Sequence, residues 1–145
     1  MNYDILDHID SAFVAYLAAG DIADIPPENV FPGNFKEGDD QKAPNIVIDA
    51  QDGGEEILGS GNFVAQVSIT VASQADDTTR ESHIARCDAV FKLLMDTEVT
   101  GAVSAALDGF TLFQVRGFRH SKQRQGRQWQ NTLTIEVECA AGDVV

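Results

Sequence analysis

The chain has 145 residues, 43% of them hydrophobic, and a formal net charge of −13 at pH 7. This length suits a single domain, residues 1–145, with a core of its own, and no apolar run approaches the roughly 18 residues of a membrane span. Residues 1–60 contain thirteen acidic residues and only two basic ones, Lys36 and Lys42, whereas 116–127 contains no acid. This imbalance argues against a general nucleic-acid binder and points to charged protein partners. The basic residues of 116–127 are Arg116, Arg119, Lys122, Arg124 and Arg127.

The N-terminal part of the chain predicts an amphipathic helix followed by an irregular connector. Residues 3–19 carry apolar side chains at helical spacing, and Gly20 is a natural terminator. The start of the chain lacks a basic segment followed by an apolar one, so we expect no secretory signal. Prolines and glycines in 21–44 forbid a continuous helix. Within this connector we expect a short strand at 29–31 and an exposed acidic loop at 36–42.

The middle of the chain predicts two strands and a second helix. Residues 45–49 are rich in β-branched types, and 63–71 alternate between apolar and polar side chains, as half-buried strands do. Between them, 51–60 predicts a mobile, acidic, glycine-rich loop. Thr78 and Glu81 fit a capping box at the start of a helix. Its apolar stripe is formed by Ile84, Cys87, Val90, Phe91 and Leu94.

The C-terminal part predicts a hairpin with a basic tip. After one or two more helical turns in 98–107, strands are expected at 110–118 and 129–139. The residues between them, 120–128, predict a basic loop that turns at Gly126, so 116–127 forms a basic hairpin arm. The fold class is therefore α+β, in the order α-β-β-α-β-β. We expect a mainly antiparallel four-stranded sheet with two helices packed on one face.

The usual patterns of catalytic, cofactor and metal sites are missing from the sequence. His8, His83 and His120 are scattered, and none is paired with another His or Cys at ligand spacing. Asp76 and Asp77 with His83 offer only a weak metal site, because acids are favoured at a helix N-terminus for electrostatic reasons. We expect no catalytic residue, no cofactor and no metal. Cys87 and Cys139 lie within apolar stripes, which favours buried thiols over a disulfide.

One face of the predicted sheet is polar and is open to solvent or to another subunit. Its residues are Gln66, Ser68, Thr70, Thr132, Thr134, Glu136 and Glu138. The chain combines an N-terminal helix, the connector from Ile25-Pro26-Pro27 to Phe31-Pro32-Gly33, the run 73–80 that opens a helix containing His83, and a final hairpin with 127–129 and 133–137. This order of elements resembles the small tail terminator (tail-completion, minor tail) proteins of long-tailed bacteriophages.

The resemblance implies a structural virion protein and no enzyme. Such proteins form a ring, commonly of six subunits, that caps the head-proximal end of the tail tube and docks the tail to the neck. The implied partners are a second copy of the chain, the tube protein and a neck or head–tail connector protein. DNA passes through the lumen without specific binding, and no membrane is involved. The expected location is the virion, after assembly in the host cytoplasm.

The charge pattern adds two hypotheses of our own. The basic arm 116–127 contacts the acidic half of a neighbouring subunit or another tail or neck protein, through Arg116, Arg119, Lys122, Arg124 and Arg127. The acidic loop 51–60 faces the channel, so that DNA slides without sticking.

Two alternatives stay open on sequence alone. The first is a neck or head-completion ring or the tube protein itself, and the second is a small monomeric or dimeric ligand-binding or enzymatic α+β domain.

Overall fold

A computed structural model describes residues 5–20, 22, 25–33, 44–55, 62–74, 79–96, 98–107, 110–125 and 127–141. Within these residues the chain folds as an α+β protein, which confirms the predicted class. Three α-helices and five strands follow one another, and a short 3₁₀ helix, Pro27–Asn29, precedes the first strand. The elements are α1 Ile5–Ala18, β1 Val30–Pro32, β2 Asn45–Glu55, β3 Asn62–Gln74, α2 Arg80–Met95, α3 Val99–Ala106, β4 Phe110–Gln125 and β5 Gln128–Ala141.

The described strands form one mixed sheet in the order β1-β2-β3-β5-β4. The prediction of four antiparallel strands was therefore wrong. β1 adds a fifth strand that runs parallel to β2, with Val30 opposite Ile46, while the other neighbours are antiparallel. β1 is only three residues long and ends at Pro32, which has no N–H to donate and is tolerated at a sheet edge. A strand this short carries too little alternation to indicate its direction.

The core lies between one face of the sheet and the helices. α1 packs against β2, α2 against β3 and β5, and α3 against β4. The side chains that alternate toward the helices are buried, as in Val67, Ile69 and Val71 of β3, whereas the opposite face carries the predicted polar residues. Across that polar face the hydroxyl oxygens of Thr70 and Thr132 lie 2.9 Å apart. The described part of the chain contains three α-helices rather than the predicted two, because residues 99–106 form a complete helix anchored by buried Val99 and Val103.

The buried stripe of α2 is rotated relative to the prediction. Its buried residues are His83, Cys87, Val90 and Leu94, while Ile84 is 37% exposed and Phe91 is only half-buried. The helix is capped by the Thr79 hydroxyl, which accepts a hydrogen bond from the Ser82 N–H at 3.2 Å. The predicted cap, Thr78, lies outside the described residues. Hydrophobicity alone misplaced the stripe because a polar residue, His83, occupies a core position.

The basic segment is strand, so the prediction of a loop at 120–128 was wrong. β4 runs to Gln125 and β5 begins at Gln128, and their pairing is continuous from Arg119–Thr134 to Gln125–Gln128. The segment carries polar side chains on both faces, so no apolar alternation marks it as a strand. The prediction of a loop at 51–60 was also wrong for residues 51–55, which belong to β2. Of these, residues 52–55 pair with β3. Residues 56–60 and the whole predicted loop 36–42 lie outside the described residues.

Two register shifts in β4 set which residues face the helices. They lie between Leu112 and Gln114 and between Arg116 and Arg119. Gly117, inside the second shift, has a φ of 74°. This left-handed conformation costs an L-residue with a Cβ about 1–2 kcal/mol. Because side chains alternate along a strand, the shift at Gly117 determines which cations beyond it face α2.

Replacing Gly117 with alanine is expected to lower the free energy of unfolding by about 1 kcal/mol, since alanine must adopt the strained φ. Gly101 provides the control, because it lies exposed in α3 and an added Cβ meets no atom within 4 Å. Gly101→Ala should raise the free energy of unfolding by about 0.5–1 kcal/mol. Urea denaturation of both variants measures the difference, and equal effects at the two positions would contradict the assignment of strain to Gly117.

Candidate functional site

The structure divides the five basic residues of the arm among different surroundings. Arg116 lies on the polar sheet face, where its Nε donates to Glu136 Oε1 at 2.9 Å and its guanidinium also pairs with Glu138. Arg119 is opposite Thr134, another residue of the polar face. Lys122 and Arg124 are opposite Asn131 and Trp129, on the face that carries the helices. Exposed Arg127 immediately precedes β5. The hairpin therefore does not present all five cations on one surface.

Lys122 and Arg124 line a cleft between the start of α2 and the β4–β5 hairpin. The cleft has a volume of about 510 Å³. Its third cation, Arg80, is the first residue of α2, more than 40 positions earlier in the chain. Among the described residues that line the cleft, none carries a carboxylate. Within the described part of the chain, these three cations are exposed and form no ion pair. We call this site the basic cleft.

The basic cleft also has an apolar part. Trp129 is half-buried, and Ile84 is one of the few large apolar side chains that is exposed. Aromatic and apolar surface beside cations is suited to a ligand that has both an apolar portion and a negative group. Trp129 is the only tryptophan of the chain. Its fluorescence therefore reports directly on this site.

A buried polar network lies under the cleft. The His83 ring is 3% exposed, with Nδ1 2.8 Å from Ser73 Oγ and Nε2 2.9 Å from Asn131 Oδ1. Arg86 donates a hydrogen bond from Nη1 to the same Ser73 Oγ at 3.0 Å. A ring proton on Nε2 satisfies all these contacts, because the Ser73 hydroxyl can then donate to Nδ1 while Asn131 Oδ1 accepts. The network fixes the ring, whose centroid lies 5.8 Å from that of Trp129.

The Ser73–His83–Asn131 spacing resembles a nucleophile, a base and an orienting group. However, Ser73 is fully buried, and its oxygen already accepts a hydrogen bond from Arg86. A substrate cannot reach that oxygen in this arrangement. Cys87 Sγ lies 3.7 Å from His83 Nε2, but burial raises the pKa of this thiol to about 11. The thiol therefore stays protonated at neutral pH and is a poor nucleophile. The geometry is that of a structural network.

The other residues considered from sequence form no second site within the described part of the chain. His8 lies on α1 and His120 on β4, where the His120 ring makes an edge contact with Phe91 at 5.2 Å. Among the described residues, no three His, Cys, Asp or Glu side chains are close enough to hold a metal ion. Asp76 and Asp77 lie outside those residues. Cys87 and Cys139 are free and buried, which confirms their assignment as buried thiols. No described helix is long and apolar enough to cross a membrane.

The sheet order separates the two charged regions of the molecule. β1 and β2 form one side of the sheet, with Glu28 just before β1, Asp49 on β2 and Asp7 on the adjoining α1. β4 forms the opposite edge, and the basic cleft lies beside it.

Comparison with known proteins finds no matching family model and no matching curated sequence.

Sequence reasoning identified Lys122 and Arg124 but missed Arg80 and His83 as parts of the same site. Trp129 was predicted as the first residue of the strand 129–139, without any indication that it borders a cleft. These residues meet only because β5 pairs with β3 and α2 crosses them both. One signal was present, since His83 interrupts an apolar helical stripe at a position spaced by four from Cys87.

Proposed function

We propose that this chain is a structural virion protein, a tail terminator that forms a ring, commonly of six subunits. The ring caps the head-proximal end of a phage tail tube and joins the tail to the neck or head. The observation that supports this proposal is that Glu28 lies just before β1 at one edge of the sheet, whereas Arg80, Lys122 and Arg124, which form no ion pair with any described residue, line the cleft beside β4 at the other edge. The resemblance in element order supplies the biological setting.

Opposite charges on opposite sides of a subunit favour head-to-tail contacts between copies. A surface that cannot pair with itself produces a heterologous interface, which closes into a ring when the rotation between subunits allows it. Complementary charge also selects the correct partner and speeds its association. In this proposal the basic arm contacts the acidic side of the next subunit, or a protein of the tube, neck or head–tail connector.

The channel of such a ring passes DNA without binding it specifically. We propose that the acidic segment 51–60 faces this channel, where negative charge repels the phosphate backbone. The net charge of −13 agrees with a protein that does not hold DNA. The expected location remains the virion, with assembly in the host cytoplasm and no cofactor or membrane.

Reversing the charge of Arg124 and Arg127 together is expected to abolish ring formation and docking to the tube. Negative-stain images of the chain mixed with its tube protein provide the test, with closed rings expected at one end of each wild-type tube. Lys92→Glu, an exposed cation of α2 outside the arm, is the control and should leave the rings intact. Normal rings from the arm variant would remove the arm from the proposed interface.

A neck or head-completion ring is the nearest alternative, and the tube protein is another. Tube proteins stack without limit, whereas a terminator forms single closed rings, so the same images separate these candidates. A small ligand-binding or enzymatic domain is favoured by one observation, the cleft of about 510 Å³, which is within the usual size of small-molecule sites. A chain that stays monomeric beside the tube protein would favour that alternative.

A further inference from the structure

A second exposed feature, on the acidic side of the sheet, complements the basic cleft. Pro26, Pro27 and Glu28 are all exposed, although Ile25 before them and Val30 after them are buried. Within the described residues, Glu28 forms no ion pair. We call these three residues the Pro-Pro-Glu corner. It presents two apolar rings next to one free carboxylate.

The Pro-Pro-Glu corner is held in one conformation. Pro26 has φ −68° and ψ 153°, which are polyproline II angles. The Asn29 N–H donates to the Pro26 carbonyl at 2.9 Å, and the Asn29 side-chain amide donates to the Pro44 carbonyl at 3.0 Å. The Val30 N–H donates to the Pro27 carbonyl. A fixed projection loses little conformational entropy when it binds.

The basic cleft has the chemistry that such a corner requires. Proline in the polyproline II conformation docks on aromatic side chains, and Trp129 supplies one beside exposed Ile84. Arginine binds a carboxylate through two parallel hydrogen bonds, and neither Arg80 nor Arg124 forms a competing ion pair with another described residue. The network of His83, Ser73 and Asn131 holds the cleft beside Trp129 in place before binding.

The two features cannot meet within one molecule. The Pro-Pro-Glu corner precedes β1 at one edge of the sheet, whereas the cleft lies beside β5 and β4, beyond β2 and β3. We propose that the Pro-Pro-Glu corner of one copy docks in the basic cleft of a second copy. Glu28 pairs there with Arg124 and Arg80, while a proline ring packs on Trp129. This inference rests on the proposed function, because it names the contact that joins neighbouring subunits of the ring.

Charge reversal on both sides of the contact tests the pairing with the full chain. Sedimentation over a concentration series measures association, and Trp129 emission reports on the cleft. Glu28→Arg and Arg124→Glu are each expected to weaken association by about tenfold or more, as buried interfacial charge pairs do. Glu28→Arg combined with Arg124→Glu in the same chain should restore association to within about threefold of wild type. The reason is that positions 28 and 124 again carry opposite charges, now exchanged between the two positions.

Two exposed residues outside the contact serve as controls. Asp88→Arg and Lys92→Glu, both at exposed positions of α2, make the same charge changes, and neither should alter association. A double variant that associates no better than its single variants would overturn the pairing of Glu28 with Arg124. So would a wild-type chain that remains monomeric up to millimolar concentration with unchanged Trp129 emission.

The outcomes separate this inference from the proposed function. Rings that cap tubes normally in Glu28→Arg would remove the corner-and-cleft contact and leave the terminator proposal standing. Association that depends on Glu28 and Arg124 but produces only open chains, with no caps on tubes, would keep the contact and remove the terminator proposal.

Discussion

Asp10→Asn is expected to remove a pH-dependent part of stability worth about 3 kcal/mol between pH 4 and pH 8. Asp10 lies on α1 and is only 3% exposed. Its Oδ1 accepts a hydrogen bond from the Ala50 N–H at 2.6 Å, next to a register shift in β2. Burial raises the pKa of this carboxyl from 3.8 to about 6, against the opposing effect of the Ala50 hydrogen bond. The negative charges of Asp49 and Asp7 make smaller contributions to the same rise in pKa.

The sign follows from the raised pKa. The folded protein keeps the proton on Asp10 more readily than the unfolded chain does, so the contribution of this group to stability is complete below about pH 3.8. As the pH rises to about 6, the unfolded chain ionises first, and the contribution is progressively lost. Asparagine keeps a carbonyl oxygen for Ala50 but cannot ionise. The free energy of unfolding of the Asp10→Asn variant, relative to that of wild type, should therefore rise steadily between about pH 3.8 and about pH 6.

Urea denaturation at several pH values from 4 to 8 measures the effect. The other carboxylates titrate in both proteins, so the difference between the two curves isolates Asp10. Asp88→Asn, at an exposed position of α2, is the control and should give a curve parallel to wild type. A parallel curve for Asp10→Asn would mean that the buried carboxyl does not hold a raised pKa.

The strands with one apolar and one polar face were predictable from sequence. Every second residue is buried from Ala65 to Val71 of β3 and from Leu133 to Cys139 of β5, and this alternation is visible without a structure. The outer part of β4 was not predictable in this way, since Lys122, Gln123 and Arg124 are all polar and exposed. Its strand conformation depends on backbone pairing with β5, which leaves no signature in side-chain hydrophobicity.

The candidate site was predictable only in part, for a related reason. The cluster of positive charge in 116–127 is plain in the sequence, but its division between two faces depends on the register shift beside Gly117. Arg80 joins Lys122 and Arg124 through the packing of α2 on the sheet. The Pro-Pro-Glu corner, whose charge is opposite to that of the basic cleft, also lies at the opposite edge of the sheet, because β1 pairs with β2 there. Register shifts, helix packing and strand order determine these three facts, and none of them is encoded in local patterns.

His83→Ala is expected to lower the free energy of unfolding by about 3 kcal/mol. The substitution leaves a cavity in a buried site and removes the donor to Asn131 Oδ1 at 2.9 Å. It also removes the partner of the fully buried Ser73 hydroxyl, 2.8 Å from the ring. Buried polar groups that lose their partners each cost about 1–3 kcal/mol.

The same substitution is expected to change the basic cleft. Trp129 packs at 5.8 Å from the His83 ring, so loss of the ring should shift the emission of this single tryptophan in the folded protein. Because the cleft beside Trp129 is no longer held in place, the association that depends on Glu28 should also weaken. A structural role limited to the core would change stability and leave association of the folded chain intact.

His120→Ala is the matched control, since it removes the same ring from an exposed position. His120 makes only an edge contact with Phe91 at 5.2 Å, and its loss should cost less than about 1 kcal/mol. Urea denaturation and fluorescence of the two alanine variants, recorded side by side, make the comparison. Equal stability losses would contradict the buried network. A large stability loss from His83→Ala with unchanged Trp129 emission would separate that network from the cleft above it.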